Sequence, residues 1–151
     1  MISVVLGGEK MSEITKVALD AMGGDNAPVE IVKGAVEAVQ KRKDILILLT
    51  GQESVIKNEL AKYSYPEEQI RIVNATEVIE TAEPPVKAIR GKKDSSIVVA
   101  MKMVKNGEAD AFVSAGSTGA VLVGGQVLVG RIKGVERPPL APLFPTLTGV
   151  S

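Results

Sequence analysis

Apolar residues fall into two alternating patterns along this chain. Four short runs are almost continuously apolar: KVALD (Lys16 to Asp20), ILILLT (Ile45 to Thr50), Ile70 to Val73, and Ala111 to Ser114. Between them apolar positions recur every three or four residues. One such segment carries Val29, Val32, Ala35, Val36 and Val39 and reaches Lys43, and a second carries Val55, Ile56 and Leu60. Two more run from Ile97 to Lys105 and from Thr118 to Val129. The first pattern suits strands buried on both faces, and the second suits amphipathic helices. Their alternation predicts an α/β protein with a parallel sheet, because each right-handed crossover lays its helix on one face.

The punctuation agrees with that reading. Ala-Met-Gly-Gly-Asp after Asp20 breaks regular structure, Asp25 or Asn26 is placed to cap the next helix, and Pro28 suits its first turn. Glu30/Lys33 and Glu37/Lys41 mark that helix's wet face. Gly34 inside it costs about 1 kcal/mol against alanine, which predicts close approach by a neighbouring backbone. Gly51 turns the chain after the second strand. Ser95 or Ser96 is expected to cap the helix Ile97 to Lys105, which stops at Asn106-Gly107. ETAEPPVKAIRGKK (Glu80 to Lys93) reads as a basic, proline-broken interruption too long for a plain turn. GVERPPLAPLFPT reads as a proline-rich excursion. Residues 1–14 are expected to be a disordered leader, a tag remnant or an upstream start. TLTGVS falls where another strand should begin, so residues 15–151 are expected to be part of a larger α/β unit.

Composition narrows the chemistry. The 151 residues are 45% hydrophobic and 24% charged, enough for one domain with a real core. Eighteen basic residues balance eighteen acidic ones, so bulk charge gives no support for a nucleic-acid partner. Without cysteine there is no disulfide, thiolate zinc site or thiol nucleophile, which agrees with a cytoplasmic setting. Without histidine, acid or base work falls to carboxylates and lysines. The longest apolar stretch, Ala120 to Val129, is about half the ~20 residues of a spanning helix. That stripe and Met101 and Met103 read as core rather than as an acyl pocket.

Three loops fall where a parallel sheet gathers its ligands, beyond the carboxyl ends of the strands. In SAGSTG, residues Gly116, Ser117, Thr118 and Gly119 bring backbone N–H groups and two hydroxyls to the start of a helix, an anion cradle in form. The plainer alternative is that Ser117 or Thr118 only caps the helix. DAMGGDNAP supplies Asp20, Gly23, Gly24 and Asp25, and RGKKDSS supplies Arg90, Lys92, Lys93 and Ser95. Neither glycine loop fits the dinucleotide or the P-loop fingerprint.

Together these stretches resemble a known family. ALDAMGGDNAP (Ala18 to Pro28), AIRGKKDSS (Ala88 to Ser96), GEADAFVSAGSTGA (Gly107 to Ala120) and GVERPPL (Gly134 to Leu140) are similar, in order, to motifs of the bacterial phosphate acyltransferases of phospholipid synthesis. The likeness runs from Ile14 to Ser151 and covers only the N-terminal portion of those longer proteins. It departs at Ser117, where the family usually has asparagine, and in ETAEPPVKA.

The resemblance implies a three-layer α/β/α fold with a mostly parallel, Rossmann-like sheet, akin to phosphotransacetylases and isocitrate dehydrogenase-like enzymes. It implies transfer of a fatty acyl group from acyl carrier protein to inorganic phosphate by a cytoplasmic homodimer on the inner face of the cell membrane, with no metal or organic cofactor. Phosphate would then sit against the Gly116 to Gly119 amides with Ser114, Ser117 and Thr118, its charge balanced by Lys92, Lys93 or Arg90. Asp20 and Asp25 would shape the first loop. Two other readings stay open: an acyl-coenzyme A:phosphate transferase, and a non-catalytic module that binds carrier protein.

Overall fold

The computed structural model describes residues 14–136 and the backbone of 145–146 and 149–150. Most of the leader and of the proline-rich excursion lies outside these residues. Strand β1 (Thr15–Asp20) is followed by α1 (Val29–Lys41), β2 (Ile45–Gly51), α2 (Glu53–Leu60) and β3 (Ile70–Asn74). Then come α3 (Pro85–Gly91), α4 (Ser96–Lys105), β4 (Ala111–Val113) and α5 (Thr118–Gly124), which continues as a π-helical turn over Gly125–Val129. Two short strands, β5 (Pro145–Thr146) and β6 (Gly149–Val150), pair antiparallel.

The first four strands form one parallel sheet in the order β3-β2-β1-β4. Alternate residues of the apolar runs serve opposite faces. Ile47 and Leu49 of β2 meet Val32, Val36 and Val39 of α1 and Ile56 of α2. Ala18, Leu46 and Leu48 turn the other way, onto Ala100 and Met103 of α4. Helices therefore cover both faces, as the absence of polar alternation requires.

The order also creates a switch point. The chain moves outward from β1 to β2 and β3, then returns to place β4 on the other side of β1. Right-handed crossovers running in opposite directions put α1 and α4 on opposite faces and part the loops after β1 and β4.

Several local expectations change. Pro28 itself is the N-cap of α1, with no side-chain cap bond, so neither Asp25 nor Asn26 caps it. Asn26 contributes instead its carbonyl, which accepts the Glu30 N–H at 3.2 Å. The helix ends at Lys41 rather than Lys43, because Arg42 is already extended toward β2. A Cβ on Gly34 would meet nothing within 4 Å, so the expected close approach is absent there. The basic interruption holds a helix, α3, with Pro84 as N-cap and Pro85 in its first turn, where a missing N–H costs nothing. Ser95 occupies the N-cap position of α4, but its hydroxyl donates to the Lys92 carbonyl at 2.9 Å and accepts no N–H of the helix. The fourth strand stops at Val113, which frees Ser114 for the loop.

Met101 and Met103 are buried, as expected of core. Of the stripe 120–129, only Ala120 and Gly124 are buried and Val127 is exposed. Gly124 lies where a side chain would strike the Met101 sulfur, so the glycine lets α5 close on α4. Among the described residues, no helix is long and apolar enough to cross a membrane.

Candidate functional site

The register of β1 against β4 pairs Ala18 with Phe112 and Leu19 with Val113. One step further along each chain the strands end, and Asp20 and Ser114 emerge on the same face of the sheet. Asp20 is fully buried. Its Oδ1 accepts the Met22 N–H at 3.1 Å and its Oδ2 accepts the Ser114 hydroxyl at 2.8 Å. The Ser114 oxygen accepts in turn the Gly116 N–H at 2.9 Å. A buried carboxylate is thus satisfied by the two loops it joins, as burial of a charge demands.

The glycines of the first loop follow from that junction. A Cβ on Gly23 would lie 2.8 Å from the Gly116 nitrogen and overlap the Asp20 carboxylate. Gly24 adopts φ +94° and passes against Ala115, a backbone conformation that side chains disfavour. Gly116 is confined by Ser114, Asp20 and the Ile97 methyl from the start of α4. Asp25 is exposed at the rim of the first loop.

The cradle is narrower than the sequence suggests. The Gly116 amide belongs to Ser114. The Ser117 hydroxyl accepts the Ala120 N–H at 3.4 Å, and the Ser117 carbonyl accepts that of Val121 at 3.0 Å, so Ser117 acts as the helix cap. Among the described residues, no acceptor meets the N–H groups of Ser117, Thr118 or Gly119. Thr118 is exposed and Gly119 half-buried, so this end of α5 faces solvent. A Cβ on Gly119 would stand 2.6 Å from Cγ of Pro85. Pro85 therefore fixes the cradle from outside, a role that its position within a Pro-Pro pair conceals.

The basic loop divides. The Lys92 ammonium donates to the Val78 carbonyl at 2.6 Å and forms an ion pair with Glu83. That bond, with the Glu80 N–H, holds the Glu83 carboxyl below its ordinary range. Ser95, fully buried, ties the same loop by its bond to the Lys92 carbonyl. Asp94 accepts the Thr76 hydroxyl and N–H at 2.5 and 2.9 Å, and these bonds hold its carboxyl low as well. Lys93 is exposed and its carbonyl receives Lys102 Nζ at 3.1 Å. Arg90 lies at the far end of α3, beside Gln126, Val127 and Arg131, two turns along from Thr118. Thus Asp20, Gly23, Gly24, Ser114, Gly116, Ser117, Thr118 and Gly119 come together, Lys92 and Ser95 latch the neighbouring loop, and Arg90 faces elsewhere. Among the described residues, no three His, Cys, Asp or Glu side chains gather as a metal site would need.

Comparison with known proteins bears on this arrangement. Residues 15–151 match the model of a family described as "Fatty acid synthesis protein". Curated relatives include a protein named phosphate acyltransferase from Alkaliphilus oremlandii, 54% identical over 136 residues. Another of that name, from Clostridium beijerinckii, is 54% identical over 134 residues, and one from Halothermothrix orenii is 48% identical over 134. These matches take in 89–90% of this chain and 40% of each relative, so the chain spans less than half their length. The two glycine loops that interlock at the β1/β4 switch point lie inside the matched stretch, and the chain belongs to the fatty acid synthesis protein family.

Proposed function

We propose that this chain forms the phosphate-binding end of an enzyme that transfers a fatty acyl group from acyl carrier protein to inorganic phosphate, giving acyl phosphate for phospholipid synthesis. The observation that carries the reading is the set of open N–H groups at Ser117, Thr118 and Gly119, held at the sheet's switch point by the Asp20–Ser114–Gly116 junction. Amides at a helix start and a topological switch point are both favourable to a phosphate oxyanion. The names of the curated relatives support the same acyl acceptor.

In this reading a phosphate oxygen attacks the thioester carbonyl carbon. The new C–O bond forms, the C–S bond breaks, and the sulfur departs with the bonding electrons and takes up a proton. Inorganic phosphate is already ionised near neutral pH, so it needs no strong base. A chain without histidine or cysteine can contribute by holding the nucleophile in place. The Ser114 hydroxyl stands between the Asp20 carboxylate and the Gly116 amide, which keeps that negative charge turned inward from the cradle. Lys93, exposed at the head of α4, is the cation of the basic loop left to balance phosphate. A homodimer working on the inner face of the cell membrane belongs to the same proposal and rests on family resemblance.

Thr118→Glu in the family-length enzyme tests it, because Thr118 is exposed and the change puts an anion where phosphate would sit. KM for phosphate should rise by about tenfold or more while KM for the acyl donor stays near its original value. An unchanged phosphate KM would refute the cradle. Replacing acyl carrier protein by acyl-coenzyme A in the same assay identifies the donor, and faster turnover of the coenzyme A thioester would overturn the carrier-protein assignment.

A further inference from the structure

Lys92 closes α3, and its side chain turns back to the residues that precede that helix. Its ammonium donates to the Val78 carbonyl at 2.6 Å and pairs with the Glu83 carboxylate, whose Oε1 also accepts the Glu80 N–H at 2.8 Å. Apart from Lys92, no described residue outside 78–83 hydrogen-bonds to that loop. Both partners are half-buried, which shields the pair from the water and salt that make an exposed ion pair worth little.

Glu83 stands two residues before Pro85. Pro84 caps α3 and Pro85 opens it, so both have φ fixed by their rings and the step from Glu83 into the helix is short and stiff. The Pro85 ring fills the place beside Gly119 where a side chain would begin, with its Cγ 2.6 Å from that position. Gly119 and its neighbour Thr118 carry two of the three open N–H groups of the cradle.

Other contacts keep α3 in the fold. Ala88 and Ile89 are buried with Ile79, Ile97, Met101 and Ala120 in one apolar cluster. The base of the excursion is tied separately, where the Glu77 N–H donates to the Asp94 carbonyl at 3.2 Å and the Ser96 N–H to the Glu77 carbonyl at 3.3 Å. Apolar contact is non-directional and tolerates sliding, whereas the ion pair is a directed bond at the end of α3 nearest the cradle.

We propose that Glu83 and Lys92 are positioning residues of the phosphate site: their ion pair holds the first turn of α3, and through Pro85 it sets the N–H groups of Thr118 and Gly119 where phosphate needs them. This rests on the cradle reading above and gives Lys92 a task other than direct contact with phosphate. A cradle of backbone amides works only as far as its spacing is held, and displacement of donors by a fraction of an ångström is felt in binding.

A double-mutant cycle in the family-length enzyme tests it, with Glu83→Ala, Lys92→Met and the two combined. Each single change should raise KM for phosphate about three- to tenfold and leave KM for the acyl donor near the parent's. The combined variant should rise no further than Lys92→Met alone, because the same tie has been cut. Lys92→Arg keeps the cation and should recover most of the phosphate KM. Thermal melts check that each variant is folded, and if Lys92→Met does not fold, Glu83→Ala and Lys92→Arg decide the matter.

A parental phosphate KM in folded Glu83→Ala would overturn the proposal. So would single effects that multiply in the combined variant, since Lys92 would then meet phosphate itself. Equal rises in both KM values would overturn it too, because a general loosening of the fold spares neither substrate. Thr118→Glu separates this inference from the reading beneath it. If that variant raises the phosphate KM and Glu83→Ala does not, the cradle stands and the positioning role falls. If Thr118→Glu leaves the phosphate KM unchanged, the cradle falls and the positioning role with it.

Discussion

Asp20 and Ser114 are 94 residues apart in sequence and joined by a 2.8 Å hydrogen bond at the ends of adjacent strands. The serine is the only donor among the described side chains to reach that buried carboxylate, and it passes the connection on to the Gly116 amide. Ser114→Ala strands a buried carboxylate oxygen and leaves an N–H without an acceptor. It should cost about 1–3 kcal/mol in urea unfolding followed by circular dichroism. A loss below about 0.5 kcal/mol, the range of ordinary surface changes, would show that the junction is incidental.

Two helical glycines should respond in opposite directions. Gly34→Ala places its methyl in open space and removes backbone freedom from the unfolded chain, so it should stabilise by roughly 0.5–1 kcal/mol. Gly119→Ala drives its methyl to 2.6 Å from the Pro85 ring and should destabilise by about 1–3 kcal/mol as α3 and α5 are forced apart. Thermal melts of both variants beside the parent decide it, and shifts of the same sign would contradict the packing described.

Acid should weaken the fold through the loop that carries Lys92. Glu83 and Asp94 are both held below their ordinary values of 4.5 and 3.8, by Lys92 and Thr76 respectively. A carboxylate depressed in the folded state contributes stability above its unfolded value and loses it as pH falls through the folded one. Tm should therefore be level near neutrality and decline once pH drops below about 4.5. Glu83→Gln should flatten the upper part of that decline. Asp44, held at about 2 by the Arg42 guanidinium, keeps its share to lower pH. A profile with its fall centred near pH 6 would contradict this assignment.

Strand runs such as ILILLT announce a sheet covered on both faces, and in this chain they fall within a residue or two of β1, β2, β3 and β4. The switch point was legible only by class, because order depends on which edge β4 takes, and nothing local to Ala111–Val113 encodes that. Helix α3 was hidden by Pro84-Pro85, a pair that reads as a breaker although proline is at home in a first helical turn. The glycine loops were found by composition, but not the division of labour within them. Gly23 and Gly116 are small because each loop is the other's wall, a relation between segments more than 90 residues apart. Lys92 looked like a phosphate ligand because its partner, Glu83, lies across a helix that the sequence did not reveal. Asp25 looked like a cap because Pro28 is an unusual residue to hold that post.

The place of β1 in the sheet bears on the order in which a growing chain can assemble. Emerging first, β1 can pair with β2 as soon as α1 has crossed over, whereas its other edge must wait for β4, made after β2, β3 and three more helices. Closing that long-range contact is the slow part of such a topology. Until Ser114 has been synthesised, the Asp20 carboxylate has no hydroxyl to meet and stays hydrated, so the half-made sheet remains open on that side. The loops at the carboxyl ends of β1 and β4 thus meet only after both strands have been made, and a nascent chain halted before residue 114 has a framework without the Asp20–Ser114 junction.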